Sequence, residues 1–97
     1  MVDPVYSLSV DAIKESFEDG ALILNLKKLS YIEVNPTASY VLDLSDGKRS
    51  ARQVAQILAD EYEIDSEQAL QDVIELYQDL SAKRIIKMVK PVAKKGR

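Results

Sequence analysis

Hydrophobic and polar positions alternate through the first third of this chain and then fall into helical spacing, with the change near Asn35. Ile13, Glu15 and Phe17 interleave with Lys14 and Ser16, which is the period of a strand. Asp19-Gly20 follows, a pair suited to a tight hairpin turn. Leu22, Leu24 and Leu26 recur at period two and share one face of a second strand. Lys27-Lys28-Leu29-Ser30 reads as a second turn, and Tyr31-Ile32-Glu33-Val34 as a short third strand. Strands joined in this way predict an antiparallel meander with one apolar face. Tyr31 and Glu33 lie on one face of the third strand and Ile32 and Val34 on the other, so just one pair can point into a core.

Beyond the change of period, three helices are predicted. Asn35-Pro36 supplies an N-cap side chain followed by proline at the first helical position, opening a helix over 36–44 with Ala38, Val41, Leu42 and Leu44 apolar. Asp46-Gly47 should end it, because glycine takes the left-handed C-cap conformation readily. Ser50 and Gln53 form a capping box for a second helix with the stripe Val54, Ile57, Leu58 and Tyr62. Asp65, with Gln68 in the matching box position, opens a third. Its apolar face is wide: Ala69, Leu70, Val73, Ile74, Leu76, Tyr77 and Leu80. Ile85, Ile86, Met88 and Val89 follow as an extended piece, and Pro91 stops regular structure. The fold class is therefore α+β and winged helix-turn-helix-like: a three-stranded antiparallel sheet followed by three helices, the last two forming the helix-turn-helix pair. Residues 1–90 make one domain, and 91–97 a basic disordered tail.

Composition narrows the chemistry. The chain has 97 residues, 46% hydrophobic and 30% charged, as an ordinary globular domain does. It has no Cys and no His, which removes disulfides, thiolate nucleophiles, imidazole bases and the common zinc sites, and fits a cytoplasmic protein. No apolar run approaches the ~20 residues of a membrane span, and no signal peptide is visible, so no membrane partner is expected. Neither a glycine-rich phosphate loop nor a nucleophile motif is present. Glu15 with Glu18, and Asp60, Glu61 and Glu63, read as solvated carboxylates, so no enzyme activity and no cofactor are expected. Net charge is −3 but uneven: from Lys83 onward there are seven cations and no acid, while residues 1–82 carry six cations against 16 acids. The basic end reads as a solvated terminus, or more sharply as a dock for an acidic partner surface.

The stretch from Asp19 to Tyr62 carries a set of motifs in a specific order. They are Val34-Asn35-Pro36-Thr37-Ala38, then Asp46-Gly47-Lys48-Arg49-Ser50, then Val54 with Ile57-Leu58; Asp72-Val73 follows in the acidic-apolar third helix. Together, over residues 12–86, they resemble the PqqD family. Two positions depart from that pattern: Val34 stands where leucine is usual before the asparagine, and Arg84 where the third helix often ends in glycine. The resemblance implies a domain that recognises the leader segment of a ribosomally made precursor peptide. Such a domain stands alone or is fused to a modifying enzyme, and the founding member serves a radical-SAM protein. It further implies that the third strand is a sheet edge, with unpaired N–H and C=O groups to which an extended peptide adds as a further strand. Tyr31, Ile32, Glu33 and Val34 are the residues expected to receive it. The third helix would form the second wall. At about 100° per residue, its apolar face leaves Asp72, Asp79 and Lys83 on the margin beside Leu76. Asp72, Val73, Leu76, Tyr77 and Leu80 are the candidates there, with Asp72 placed to meet a peptide cation.

A winged-helix DNA-binding regulator is the rival reading. The helix that would enter the major groove argues against it, since Glu67, Asp72, Glu75 and Asp79 precede its first cations, Lys83 and Arg84. No nucleic-acid partner is expected. An open strand edge also admits self-pairing into a homodimer.

Overall fold

The computed structural model describes residues 3–89; the boundary expected at residue 90 and the basic tail expected at 91–97 lie outside the described residues. The elements are β1 (Val5–Leu8), β2 (Ala12–Phe17), β3 (Gly20–Asn25), β4 (Ser30–Val34), α1 (Pro36–Leu44), β5 (Asp46–Ser50), α2 (Ala51–Tyr62), α3 (Ser66–Ala82) and β6 (Ile86–Met88). The expected meander is the antiparallel sheet β2-β3-β4, and the three expected helices follow it. A second antiparallel sheet, ordered β5-β1-β6, was not foreseen. Its strands are short, and β5 reads Asp-Gly-Lys-Arg-Ser, with no apolar residue to betray it. It exists because β1 supplies backbone partners on both sides, reinforced by Ala51 N–H to the Pro4 carbonyl and Val89 N–H to the Val5 carbonyl.

The helix starts follow the local chemistry read from the chain. Asn35 Oδ1 accepts the Ala38 N–H at 2.8 Å with Pro36 at the first position. Ser50 and Gln53 close a reciprocal capping box at 3.3 and 2.9 Å. Asp65 caps α3 through the Glu67 and Gln68 N–H groups, but Gln68 does not return the bond; its amide reaches forward to Asp72 Oδ1 at 2.9 Å. The end of α1 also differs from expectation. Its C-cap is Ser45, whose N–H reaches the Leu42 carbonyl, and Gly47, at φ 81°, lies inside β5. Asp46 turns the chain there by accepting the Lys48 and Arg49 N–H groups at 3.0 and 3.1 Å. Those bonds, reinforced by the Arg49 guanidinium at 2.9 Å, hold its carboxyl below the usual value.

The meander corrects the reading of its leucines. Residues directly opposite one another share a face. Buried Ala21 and Ile23 face inward with Val34 and Ile32 across from them, and α1 covers them with Val41 and Leu42. Leu22 and Leu24 therefore face outward, beside Ile13, Tyr31 and the carboxylates Glu15 and Glu33. Both faces of β3 are apolar, so period two alone does not say which is inside. Small Ala21 and Gly20 decide it by letting the chain approach closely: a Cβ on Gly20, whose φ is 138°, would run into the Val34 carbonyl oxygen. Lys14, on the inner face of β2, spans to α1 and pairs with Asp43 at 2.8 Å.

Below the meander, α3 buries Ala69, Val73, Tyr77 and Leu80 against Val54, Ala55 and Leu58 of α2, in one cluster that also holds Tyr6, Ile85 and Ile86. Among the described residues no helix is long and apolar enough to cross a membrane. Ile23→Ala should destabilise the protein by about 2–5 kcal/mol, as a cavity in a closed core does, whereas Leu24→Ala on the outer face should cost about 1 kcal/mol or less. Urea unfolding of both variants checks this; equal losses would mean that the faces are assigned wrongly.

Candidate functional site

Among the described residues β4 pairs with β3 alone, and its outer edge takes no further strand. No turn, loop or cap hydrogen bond among the described residues reaches the backbone of Tyr31 to Val34. Beside the first half of this edge runs a cleft of about 340 Å³. Ser30, Tyr31 and Ile32 form one wall, Ala82 and Lys83 at the end of α3 the other, and Ile23, Ile32 and Ile85 give it an apolar floor. The two walls meet here because of how α3 ends. Arg84 takes the left-handed conformation, φ 61°, with its N–H on the Ser81 carbonyl and the Ile85 N–H on the Leu80 carbonyl. This is the Schellman arrangement that glycine usually serves. It turns Ile85 and Ile86 into the core, so α3 stops abruptly at the rim of the meander. Arg84 thus performs the same exit as the glycine whose place it takes.

The residues expected on α3 separate into two groups. Asp72 is exposed, its Oδ1 held by Gln68, and Leu76 is half-buried against the core; neither lines the 340 Å³ cleft, which lies one to three turns further along the helix. Val73, Tyr77 and Leu80 are closed off, each exposing 1% or less of its surface, and cannot touch a bound peptide in this conformation. The reason is that the core takes the whole centre of the stripe, from both sheets and α2, leaving its margins alone at the surface. Tyr77 is the clearest case. Its ring stacks on Tyr6 at 4.5 Å, and its hydroxyl meets Ser45 Oγ at 2.6 Å. Ser45 spends its one proton on the Val41 carbonyl at 2.7 Å, so the phenol is the donor to Ser45. On the strand, Tyr31 is 65% exposed, Glu33 is exposed, and Ile32 and Val34 are half-buried. Asn25, Lys28, Ala82 and Ile85 also line the cleft and were not singled out from the sequence, whereas Lys83, which lines it too, was placed there on the helix margin expected to face the peptide.

A winged-helix α+β domain with one meander strand left open beside the end of its last helix is the class that fold and site define. The protein-family model for coenzyme PQQ synthesis protein D matches residues 20–86, from the first residue of β3 to the first of β6. The chain belongs to the PqqD family. Two curated relatives, each called PqqA binding protein, come from Xanthomonas euvesicatoria pv. vesicatoria and Xanthomonas axonopodis pv. citri. Both are 40% identical over 57 residues, covering 59% of this chain and 62% of the relative, so the match spans about three fifths of their length. Among solved structures, TbiB1 in complex with the TbiA(beta) leader peptide superposes with a TM-score of 0.77 at 16% identity, over 84% of this chain and 94% of that one. A lasso peptide synthetase B1 complexed with its leader peptide gives 0.76 at 23%, over 84% and 96%. The PqqD portion of Methylobacterium extorquens PqqCD, described as a stand-alone RiPP recognition element, gives 0.73 at 25%, over 86% and 88%.

Burial pushes the Tyr77 phenol above its ordinary value. The group is therefore neutral in the fold. Its stabilising contribution is complete below about pH 10, the unfolded value, and drains away as pH rises beyond it. Tyr77→Phe should cost about 1 kcal/mol at neutral pH and leave a shallower decline of stability at about pH 10.5 than the wild type shows. Urea melts at the two pH values measure both effects.

Proposed function

We propose that this chain binds the leader segment of a ribosomally synthesised precursor peptide as an added strand on β4 and presents it to a partner modifying enzyme. The observation that carries the reading is the unpaired β4 edge bordered by a cleft with an apolar floor. In the segment Tyr31, Ile32, Glu33 and Val34, main-chain bonds from the alternate residues that point away from β3 supply affinity, and the side chains of the others line the contact. Asp72 and Leu76 meet the part of the peptide that lies further up α3. Val73, Tyr77 and Leu80 act from behind, by holding α3 in place. The names of the relatives and the leader peptides bound to two similar folds support this reading. The chain does no chemistry itself and acts in the cytoplasm, where a precursor leaves the ribosome. The modifying enzyme is of the radical-SAM class, and self-pairing through β4 competes with the peptide for the same edge. The acidic α3 leaves the rival DNA reading without phosphate contacts along the helix that would need them.

Titration with the short precursor encoded beside this protein's gene should shift the backbone amides of Tyr31 to Val34 and of Ala82 to Ile85, read by NMR. Shifts confined to α2, with β4 silent, would overturn the assignment. Glu33→Pro, which removes an N–H that the alternation of β4 turns away from β3 and stiffens the strand, should weaken that binding by roughly tenfold, the worth of one or two hydrogen bonds. Random duplex DNA should bind weakly at low salt; tight binding with a steep salt slope would restore the regulator reading.

A further inference from the structure

Five of the nine cations among the described residues gather at one end of the β4 groove. Lys28 and Lys83 line the groove itself beside Ser30 and Tyr31. Lys27, Lys28 and Arg84 line an adjoining cleft of about 540 Å³, which shares Asn25 and Lys28 with the groove. Arg84 and Lys87 line the next, so the three clefts form one continuous surface. Two acids temper it: Asp79 pairs with Lys83 at 3.1 Å, and Asp11 borders the 540 Å³ cleft. Lys27, Lys28, Arg84 and Lys87 have no ion pair among the described residues. The opposite end of β4 has the opposite sign. A cleft of about 450 Å³ is lined there by Phe17, Glu18, Asp19, Glu33 and Val34, with three carboxylates and no cation.

In a described chain with 16 acids and nine cations, such a cationic cluster is not what average composition would place there. The five residues of β4 span roughly 17 Å, about two Debye lengths at physiological salt, so an extended ligand meets the two ends as separate fields. We infer that the groove selects charge-polarised peptides, with Asp or Glu where the peptide passes the Ser30 end of β4 and Lys or Arg where it passes the Val34 end. This rests on the proposed peptide reading and adds to it a rule for which peptides are taken. Lys28, Lys83 and Arg84 supply charge-assisted bonds to peptide carboxylates, while Glu33, Glu18 and Asp19 repel acids at the other end.

The test is selection of a displayed random peptide library, each member roughly twelve residues, or twice a common strand length, on the full-length chain. The same library is selected on a variant with Lys27→Glu and Lys28→Glu, where both side chains are exposed and Asn25 bonds only their backbone N–H groups. The wild type should enrich peptides with acids grouped toward one end of the selected core and cations toward the other. Changing those acids to Lys in the strongest binder should weaken it about tenfold on the wild type and restore it on the reversed variant. Arg84→Gly is the second probe, because glycine suits the left-handed helix exit. It should raise the midpoint of unfolding while weakening the same acidic peptide several-fold, a split that a folding defect does not produce. One consensus from both proteins, or no loss on acid-to-Lys exchange, overturns the charge rule and leaves the peptide reading standing. Unchanged peptide selection with lost binding to the modifying enzyme overturns it too, by assigning the cations to that partner. If the wild type enriches no peptide at all, the peptide reading itself fails and this rule falls with it.

Discussion

Burial of the α3 stripe is the constraint on which the rest of this structure depends. Val73, Tyr77 and Leu80 each gain about 1.5–3 kcal/mol by leaving water, and they do so against α2, Tyr6 of β1 and the isoleucines that follow the helix. Once that stripe is closed, the direction of α3 is set, and its last turn must release the chain toward β1. The left-handed Arg84 accomplishes the release, and β6 zips onto β1 with Leu8 opposite Ile86. The second sheet is thus a clasp that ties both ends of the described chain beneath the helices. It uses the C-terminal segment that could otherwise have lain against β4. The open edge follows from that division of strands.

An open edge in a small protein is a hazard as well as an opportunity, since any extended chain with a free backbone can pair with it. Charge limits what does. The edge runs from a cationic end to an anionic one, and Glu33 and Glu15 interrupt the apolar outer face of the meander, where Ile13, Leu24 and Tyr31 form a cross-strand row. A second copy adding in antiparallel register would bring unlike ends together, whereas one adding in parallel would bring like ends together. The same polarity that favours one class of peptide therefore also restricts the ways in which the edge can pair with itself.

Among the described residues, two buried polar side chains, Ser45 and Tyr77, are bonded to each other. Ser45 links Val41 and Tyr77 in one chain of hydrogen bonds and at the same time caps α1 through its N–H. Asp46, next to it, accepts two backbone N–H groups and the Arg49 side chain, which turns α1 straight into β5 without an intervening loop. Two adjacent residues therefore couple the meander half of the molecule to the clasp. Of the two, Ser45 reaches α3 directly, through Tyr77.

The local elements were legible because their causes are local. Asn35-Pro36, Ser50 with Gln53, and Asp65 state where helices begin through bonds that span three residues, and the alternation from Ile13 to Val34 states where three strands lie. The motif order from Asp19 to Asp72 identified the family for the same reason: it is a property of the chain's order. What the sequence could not determine was whatever depends on a partner distant along the chain. Asp46–Ser50 becomes a strand only because Val5–Leu8 is there to pair with it. Leu22 and Leu24 face out because Ala21 and Ile23 pack under α1, a choice between two apolar faces that periodicity leaves equal. Val73, Tyr77 and Leu80 became core and Lys28, Lys83 and Arg84 became neighbours through the way in which α3 ends against the meander. Short-range bonding sets the elements, and the competition of faces for a single core decides which residues remain at the surface to do work.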